Sequence, residues 1–379
     1  MPLHSQGTFK FINYLEDVVS GKQRGASSAI LKLLLLLVSW ISLGVMKLRR
    51  WLYTRGMMQT SSLPCKVISV GNIVVGGSGK TPVVAYTARM LRECSNLSVA
   101  VLSRGYRGEV RGPAAVSDGQ NVIFGPVEAG DEPHMLARAL PGVPVLIGKD
   151  RSITGFMAFR KWNCDVVILD DGFQYLKLAR DVDIITMDAT RPFGFDHLLP
   201  RGYLREPLST LNRADLILLT RVDQCGDLDY VRDRLSSIAP SVPVFEGVYE
   251  PRSLRSLDTQ QEVGLDAIRD RDILAVCGIA NPLSFAETLK SLKPAEVSLV
   301  AFPDHFAYPP RSVEAIKRKA AELEVDMIVT TEKDAPKLGS VEDHTTLSLT
   351  VDLKLVGSTD KEFMELVLQR CGSNTKRKT

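Results

Sequence analysis

A strand-like run at residues 66–70 (KVISV) leads into Gly71-Asn72-Ile73-Val74-Val75-Gly76-Gly77-Ser78-Gly79-Lys80-Thr81-Pro82, and a helical pattern follows over residues 83–93. Strand, glycine-rich turn and helix in that order make a place for phosphate. Gly76, Gly77, Ser78 and Gly79 let successive backbone N–H groups converge on oxygen, and the helix N-terminus adds positive partial charge. Lys80 can reach the terminal phosphates of a nucleotide, and the Thr81 hydroxyl can ligate magnesium. Pro82 suits a first helical turn, where no donor is needed. Val74 stands where the strict G-x-x-x-x-G-K-[ST] pattern has its first glycine, so the reading rests on Gly-Gly-Ser-Gly-Lys-Thr in its strand–turn–helix setting.

A second chemical signal is Asp165-Val-Val-Ile-Leu-Asp170-Asp171-Gly172-Phe173-Gln174, which puts two carboxylates just past an apolar strand. Ligands of open α/β sheets bind at that edge, and one carboxylate there can hold magnesium as a Walker B aspartate does. Tandem like charges after a buried strand are costly without a cation nearby. Lys149-Asp150-Arg151 follows the run at residues 143–147 on the same edge, and Arg151 could clamp phosphate or make a surface ion pair. Asp131 opens a helical stretch, where an acid is often only a cap. Of the five histidines, His305 in Phe302-Pro303-Asp304-His305-Phe306 has an aspartate beside it that can orient it. His4, His134, His197 and His344 have no context favouring chemistry.

The elements that must position these groups are short branched-aliphatic runs alternating with helical stretches, the pattern of a mostly parallel sheet covered by helices. Strands are expected at residues 66–70, 99–103, 143–147, 165–169, 183–187 and 215–220. Residues 240–262 mix proline, serine and charge, which reads as a linker. A second α/β unit follows, with strands at residues 272–277, 297–302 and 326–330. The resulting division is an N-terminal helical segment at residues 1–60, a P-loop core at 61–240, a linker at 241–271, a smaller α/β domain at 272–370 and a basic tail at 371–379.

The uncharged run at residues 33–46 is flanked by Arg24 and Lys32 on one side and by Lys47, Arg49, Arg50 and Arg55 on the other. At 1.5 Å per residue it covers roughly 20 Å, short of the ~30 Å hydrocarbon core. A helix in the headgroup region, with Trp40 and Trp51 at the interface, is therefore expected rather than a full span. A leucine-rich helix buried against the soluble part is the competing expectation.

Composition is that of a globular protein, with 45% hydrophobic residues over 379 positions. The net charge of +3 is too nearly balanced to announce a nucleic-acid binder. The six cysteines form no Cys-x-x-Cys pair, so they read as reduced thiols and not as a zinc ribbon or disulfide framework. Nothing in the pattern points to an obligate protein partner.

Three functions fit this much: a kinase, a P-loop regulatory or assembly NTPase at the membrane surface, and a membrane-attached nucleotide-binding module. Thr220-Arg221-Val222-Asp223 resembles a guanine-reading Thr-Lys-x-Asp motif but has arginine for the required lysine. Asp170 also lacks the glycine three residues on that a GTPase switch carries.

Taken in order, VGNIVVGGSGKTP, Ser103-Arg104-Gly105-Tyr106, Gly130-Asp131-Glu132-Pro133, Asp150-Arg151, DDGFQ, Leu204-Arg205-Glu206-Pro207, Gly278 to Pro282 (GIANP), FPDHF and Thr331-Glu332-Lys333-Asp334-Ala335 resemble the motif set of the tetraacyldisaccharide 4'-kinases of lipid A synthesis. The family's own glycine loop also lacks glycine at the Val74 position. The resemblance implies a P-loop NTPase-like fold that transfers the γ-phosphate of ATP, with Mg2+, to the 4'-hydroxyl of a tetraacylated glucosamine disaccharide 1-phosphate. The implied place is the cytoplasmic face of a Gram-negative inner membrane, with a glycolipid substrate and a membrane surface as partners. By the same resemblance Lys80 and Thr81 serve phosphate and magnesium, and Asp170, Asp171 and Glu206 surround the metal. Asp131 becomes the base supported by His305, Arg151 contacts phosphate, and Arg104 with Tyr106 meets the lipid. Phe306 departs from the family, where tyrosine is more usual. A lid role for the second unit is implied too, because His305 would have to reach Asp131 from the far part of the chain.

Overall fold

The computed structural model describes residues 25–373 together with positions 14, 17–19 and 21–23. Arg24, His4 and the basic tail beyond position 373 lie outside the described residues.

Helix α1 (Ala26–Thr54) has 29 residues and precedes the sheet. At 1.5 Å per residue it is about 43 Å long, because the helical pattern continues past the charged residues that bound the apolar run. Length therefore gives no argument against a span: by length and composition the helix can cross a membrane. The buried-helix alternative is not what forms, since Leu33, Leu37, Trp40, Ile41 and Trp51 are exposed. It is attached through Ser39, whose Oγ donates to the Leu198 carbonyl at 2.8 Å and accepts from Arg201 N at 3.2 Å, and through Leu43 and Met46, which pack against the core.

Thirteen strands then make one sheet, in the order β11-β10-β12-β13-β8-β7-β6-β1-β5-β2-β4-β3 with β9 beside β8. The first half holds β1 (Lys66–Gly71), β2 (Val99–Ser103), β3 (Ala114–Ser117), β4 (Val145–Ile147), β5 (Val166–Asp170), β6 (Val182–Asp188) and β7 (Leu216–Thr220). Central β1 pairs in parallel with β5 and β6, and only edge strand β3 runs antiparallel, on β4. Buried on both faces, these strands are nearly continuous aliphatic runs, which is why the sequence marks them. Helices α2 (Lys80–Ser95), α3 (Asp131–Ala139), α4 (Arg151–Trp162) and α5 (Leu228–Ile238) belong to this half.

The segment read as a linker folds instead as β8 (Val244–Ser256) and β9 (Glu262–Val263). Prolines and charges are tolerated because β8 is half-buried, and Pro251 sits where the pairing register shifts between Thr350 and Val351. β8 pairs with β7 in parallel at its start and with β13 (Thr345–Val356) in antiparallel register thereafter. Beyond it lie β10 (Asp272–Cys277), α6 (Pro282–Lys290), β11 (Glu296–Ala301), α7 (Pro310–Glu322) and β12 (Met327–Thr331). The last helix, α8 (Asp360–Ser373), returns to the first half. There Phe363 packs edge-on against Tyr86 and Phe245.

Candidate active site

A cleft of about 720 Å³ opens along the C-terminal ends of β1, β2 and β5 and under the second half of the chain. The phosphate loop forms one wall. Gly79 has φ +74°, and a Cβ there would overlap the Tyr249 hydroxyl, so only glycine fits. Tyr249 Oη donates to the Gly79 carbonyl at 3.1 Å and Arg221 Nη1 to the Gly77 carbonyl at 3.1 Å. The loop's carbonyls are thus held by protein, while among the described residues the N–H groups of Gly77 and Gly79 have no protein acceptor. Ser78 turns inward: its hydroxyl takes a 2.8 Å bond from Asn72 Nδ2 and lies 3.2 Å from Thr186 Oγ1.

Asp170 ends β5 with 2% of its surface exposed. Ser103 Oγ donates to its Oδ2 at 3.0 Å, and its buried Oδ1 has no hydrogen-bond partner. Burial, then the nearby charges of Glu132 and Asp171, push its pKa up to about 7. An uncompensated buried carboxylate oxygen beside a phosphate loop suits a cation. Asp171, in left-handed backbone at φ 54°, faces Lys80 Nζ at 3.7 Å and takes two bonds from Arg205, at 2.7 and 3.2 Å. Burial raises its pKa, but Lys80 and Arg205 outweigh that and leave it lowered. Among the described residues no group of three or more His, Cys, Asp or Glu gathers as a metal cage. The unpartnered Asp170 Oδ1 and the Thr81 hydroxyl would suit a magnesium ion that takes its other ligands from phosphate and water.

Two expected members of this group stand apart from it. Glu206 does not line the cleft, because its carboxylate accepts from Arg213 Nη2 at 2.8 Å; its neighbour Arg205 is the side chain of that motif that enters the site. Arg151 is buried behind the carboxylates rather than at the surface, stacked on the Tyr175 ring at 4.7 Å and within electrostatic range of Asp170 and Asp171. Burial lowers its pKa.

Across the cleft, Gly130 at φ +93° brings the start of α3 against the Tyr106 carbonyl, which a Cβ would meet at 2.5 Å. The Asp131 carboxylate makes no cap of α3. It accepts instead from Lys337 Nζ at 2.8 Å and pairs with His305 Nδ1 at 3.0 Å, both on Oδ2. Burial pushes the Asp131 pKa up, yet His305 and Lys337 outweigh burial and hold it at about 2. Arg104, Tyr106 and His305 line the cleft, and the Tyr106 ring lies edge-on to the imidazole at 5.8 Å. Phe306 turns away to stack on Phe302 at 4.5 Å.

The guanine-reading possibility loses its donor: Arg221 Nη1 also bonds Asp188 Oδ2 at 2.5 Å, and Asp223 does not line the cleft. Sequence reasoning missed Arg205, Tyr249, Lys333 and Lys337 as site residues. Only the motifs LREP and TEKDA hinted at two of them, Arg205 and Lys333.

A family model described as Tetraacyldisaccharide-1-P 4'-kinase matches residues 31–372. The chain is 40% identical over 331 residues to a tetraacyldisaccharide 4'-kinase of Syntrophus aciditrophicus, covering 85% of this chain and 88% of that one. It is 36% identical over 361 residues to another from Halothermothrix orenii, covering 92% and 94%. Among solved structures, LpxK from Aquifex aeolicus in complex with ATP is similar with a TM-score of 0.70 at 32% identity, covering 90% of this chain and 99% of that one.

Proposed function

This chain belongs to the tetraacyldisaccharide-1-P 4'-kinase family, and from that premise we propose that it transfers the γ-phosphate of ATP to the 4'-hydroxyl of a tetraacylated glucosamine disaccharide 1-phosphate. The observation that carries this reading is the Asp131–His305 pair at 3.0 Å, with His305 on the same cleft as the phosphate loop. A hydroxyl acceptor needs a base near the γ-phosphate. A nucleotide switch would leave the pair without work.

Phosphoryl transfer is mostly positioning and neutralising of charge. Gly76, Gly77 and Gly79 cradle the phosphates, and Lys80 meets their terminal oxygens. Thr81 and Asp170 would hold magnesium, which when bound offsets charge on the β- and γ-phosphates. Asp171 is the outer carboxylate that orients Lys80 and Arg205. Arg151 supports the carboxylate pair from behind. Asp131 accepts the proton as the sugar oxygen attacks phosphorus in line, and the bond to ADP breaks. Arg104 and Tyr106 are placed to meet the disaccharide. Residues 61–240 and 272–370 act as two units, a division supported by hydrophobic clusters particular to each, although Leu353, Leu355, Phe363, Met364 and Val367 pack with the first unit. The second unit covers the phosphates from water. The exposed apolar face of helix α1 and its nearby lysines and arginines support a place at the cytoplasmic face of the inner membrane, where a glycolipid substrate is met.

The test is transfer of labelled γ-phosphate from ATP-Mg to a lipid A disaccharide 1-phosphate in detergent micelles. Wild type forms labelled lipid, and Asp131→Ala and Lys80→Ala do not. Nucleotide hydrolysis without lipid product would overturn the reading and favour a switch NTPase.

A further inference from the structure

The segment from Thr331 to Lys337 has no assigned role in the transfer step above, yet its polar side chains converge on Asp131 and His305. Asp334 is fully buried and accepts from Gly278 N at 2.8 Å and from Thr331 Oγ1 at 2.7 Å. It lies 3.5 Å from Lys337 Nζ and so anchors that ammonium, which donates to Asp131 Oδ2 at 2.8 Å. Lys333 Nζ is anchored on Asp304 Oδ1 at 2.7 Å and lies 3.3 Å from His305 Nε2. Both lysine side chains are largely buried, 15% and 12% exposed, unlike solvated surface lysines.

An ammonium has three donors and no acceptor. Lys333 Nζ at 3.3 Å is nearer to His305 Nε2 than Asp304 Oδ2 at 3.8 Å, so the arrangement that satisfies the ammonium has Nε2 accepting, with the ring proton on Nδ1 pointing at Asp131 Oδ2, 3.0 Å away. With His305 and Lys337 both on Oδ2, Asp131 Oδ1 has no protein donor among the described residues.

We infer that Lys333 and Lys337 are positioning residues of the phosphoryl transfer: Lys333 fixes His305 as its Nδ1–H tautomer, and Lys337 shares Asp131 Oδ2 with that ring, which assigns proton acceptance to Oδ1. The inference rests on the kinase reading for its meaning. In the step it describes, the 4'-O–H bond breaks and its proton goes to Oδ1. The sugar oxygen bonds to γ-phosphorus, and the phosphorus–oxygen bond to ADP breaks with its electron pair leaving on ADP. His305 keeps its proton throughout. An Nε2–H tautomer would turn a lone pair toward Oδ2, and the aspartate would lose its orientation.

The experiment uses the full chain labelled with 15N-histidine in detergent micelles, with His305 assigned by the signals lost in His305→Gln. Wild type is expected to show a protonated Nδ1 and a bare Nε2. Lys333→Met is expected to shift the ring toward Nε2–H and to lower kcat about tenfold to a hundredfold with little change in KM, the usual effect of removing a group that orients a histidine. Lys333→Arg keeps a donor and should restore both the tautomer and most of the rate. A wild-type ring protonated on Nε2 overturns the inference even if Lys333→Met does not fold, as does a Lys333→Met ring unchanged from wild type. The ring signals do not depend on turnover: an Nδ1–H ring in a wild type that makes no lipid product would count against the kinase reading alone.

Discussion

His305 Nδ1 and Asp131 Oδ2 stand 3.0 Å apart although 174 residues separate them in the chain. Neither position has a local reason for the meeting. Asp131 opens α3 without capping it, and His305 sits in left-handed backbone at φ 62° just beyond β11. Their contact exists only because the two halves of the sheet fold over one cleft, which makes it a test of whether that arrangement serves chemistry.

If the pair acts as a unit, Asp131→Asn and His305→Ala should each lower kcat by about 10²- to 10⁴-fold, the usual range for general-base catalysis. The double variant should be little worse than the poorer single. Steady-state kinetics check this, and losses that multiply in the double variant would show that the two act separately.

Acid sensitivity should report Lys337. The Asp131 pKa is held at about 2 by His305 and Lys337 against burial. A depressed carboxylate stabilises the fold above its unfolded pKa near 3.8 and loses that contribution as pH falls toward 2. Lys337→Met removes one of the two partners, so the Asp131 pKa should rise. The acid limb of kcat/KM should move to higher pH, measured from pH 2 to 6 against wild type. An acid limb that stays in place would mean that Asp131 is not the titrating base.

Arg205 holds Asp171 through two bonds. Hydrogen bonds to charged groups contribute roughly 1.5–3 kcal/mol. Arg205→Ala should therefore weaken ATP-Mg binding by about tenfold to a hundredfold in a calorimetric titration, whereas Glu206→Gln, outside the cleft, should change it less than threefold or so on the same scale.

Gly79→Ala meets two obstacles. A non-glycine residue in left-handed backbone costs roughly 1–2 kcal/mol, and the new methyl would overlap the Tyr249 hydroxyl. ATP binding should fall at least about tenfold by the same free-energy scale. Adding Tyr249→Phe should recover part of it, as read by a fluorescent nucleotide.

Membrane attachment should depend on the exposed face of α1. Trp40 and Ile41 are 61% and 68% exposed, so Trp40→Glu with Ile41→Glu should lower co-sedimentation with phosphatidylethanolamine–phosphatidylglycerol vesicles by about tenfold or more, since binding scales with buried apolar area. The thermal midpoint of the folded protein should stay the same.

The central strands were legible because burial on both faces demands unbroken aliphatic runs. Residues 99–103 and 272–277 fall on β2 and β10 to the residue, β1 and β7 differ by one residue at one end, β5, β6, β11 and β12 by one at each end, and β4 starts two residues late. β8 and β13 were not legible: their residues alternate between half-buried and exposed, with arginine, glutamate and proline among them. At the site, the glycine loop and Asp170-Asp171 could be found from local pattern. Choosing Arg205 over Glu206 could not, because neighbouring charged residues on a loop point to different sides for reasons that only the surrounding packing sets. Lys333 and Lys337 carry no local signature either, since their partners come from Asp131, Asp304 and His305.

Between the end of the β7 pairing at Gly247 and the start of the β12 pairing near Leu254, β8 and β13 have only each other for main-chain partners. The halves of the molecule are thus joined by a two-stranded ribbon, thickened by no third strand and offset by one bulge. A ribbon of this kind behaves as a torsion bar. It resists sliding and stretching, because those break its ladder, and yields to twist, which its hydrogen bonds tolerate. Tyr249, on the bar itself, ties it to the carbonyl of Gly79, while the Asp131–His305, Asp131–Lys337 and Asp188–Asn281 contacts join the halves across the cleft.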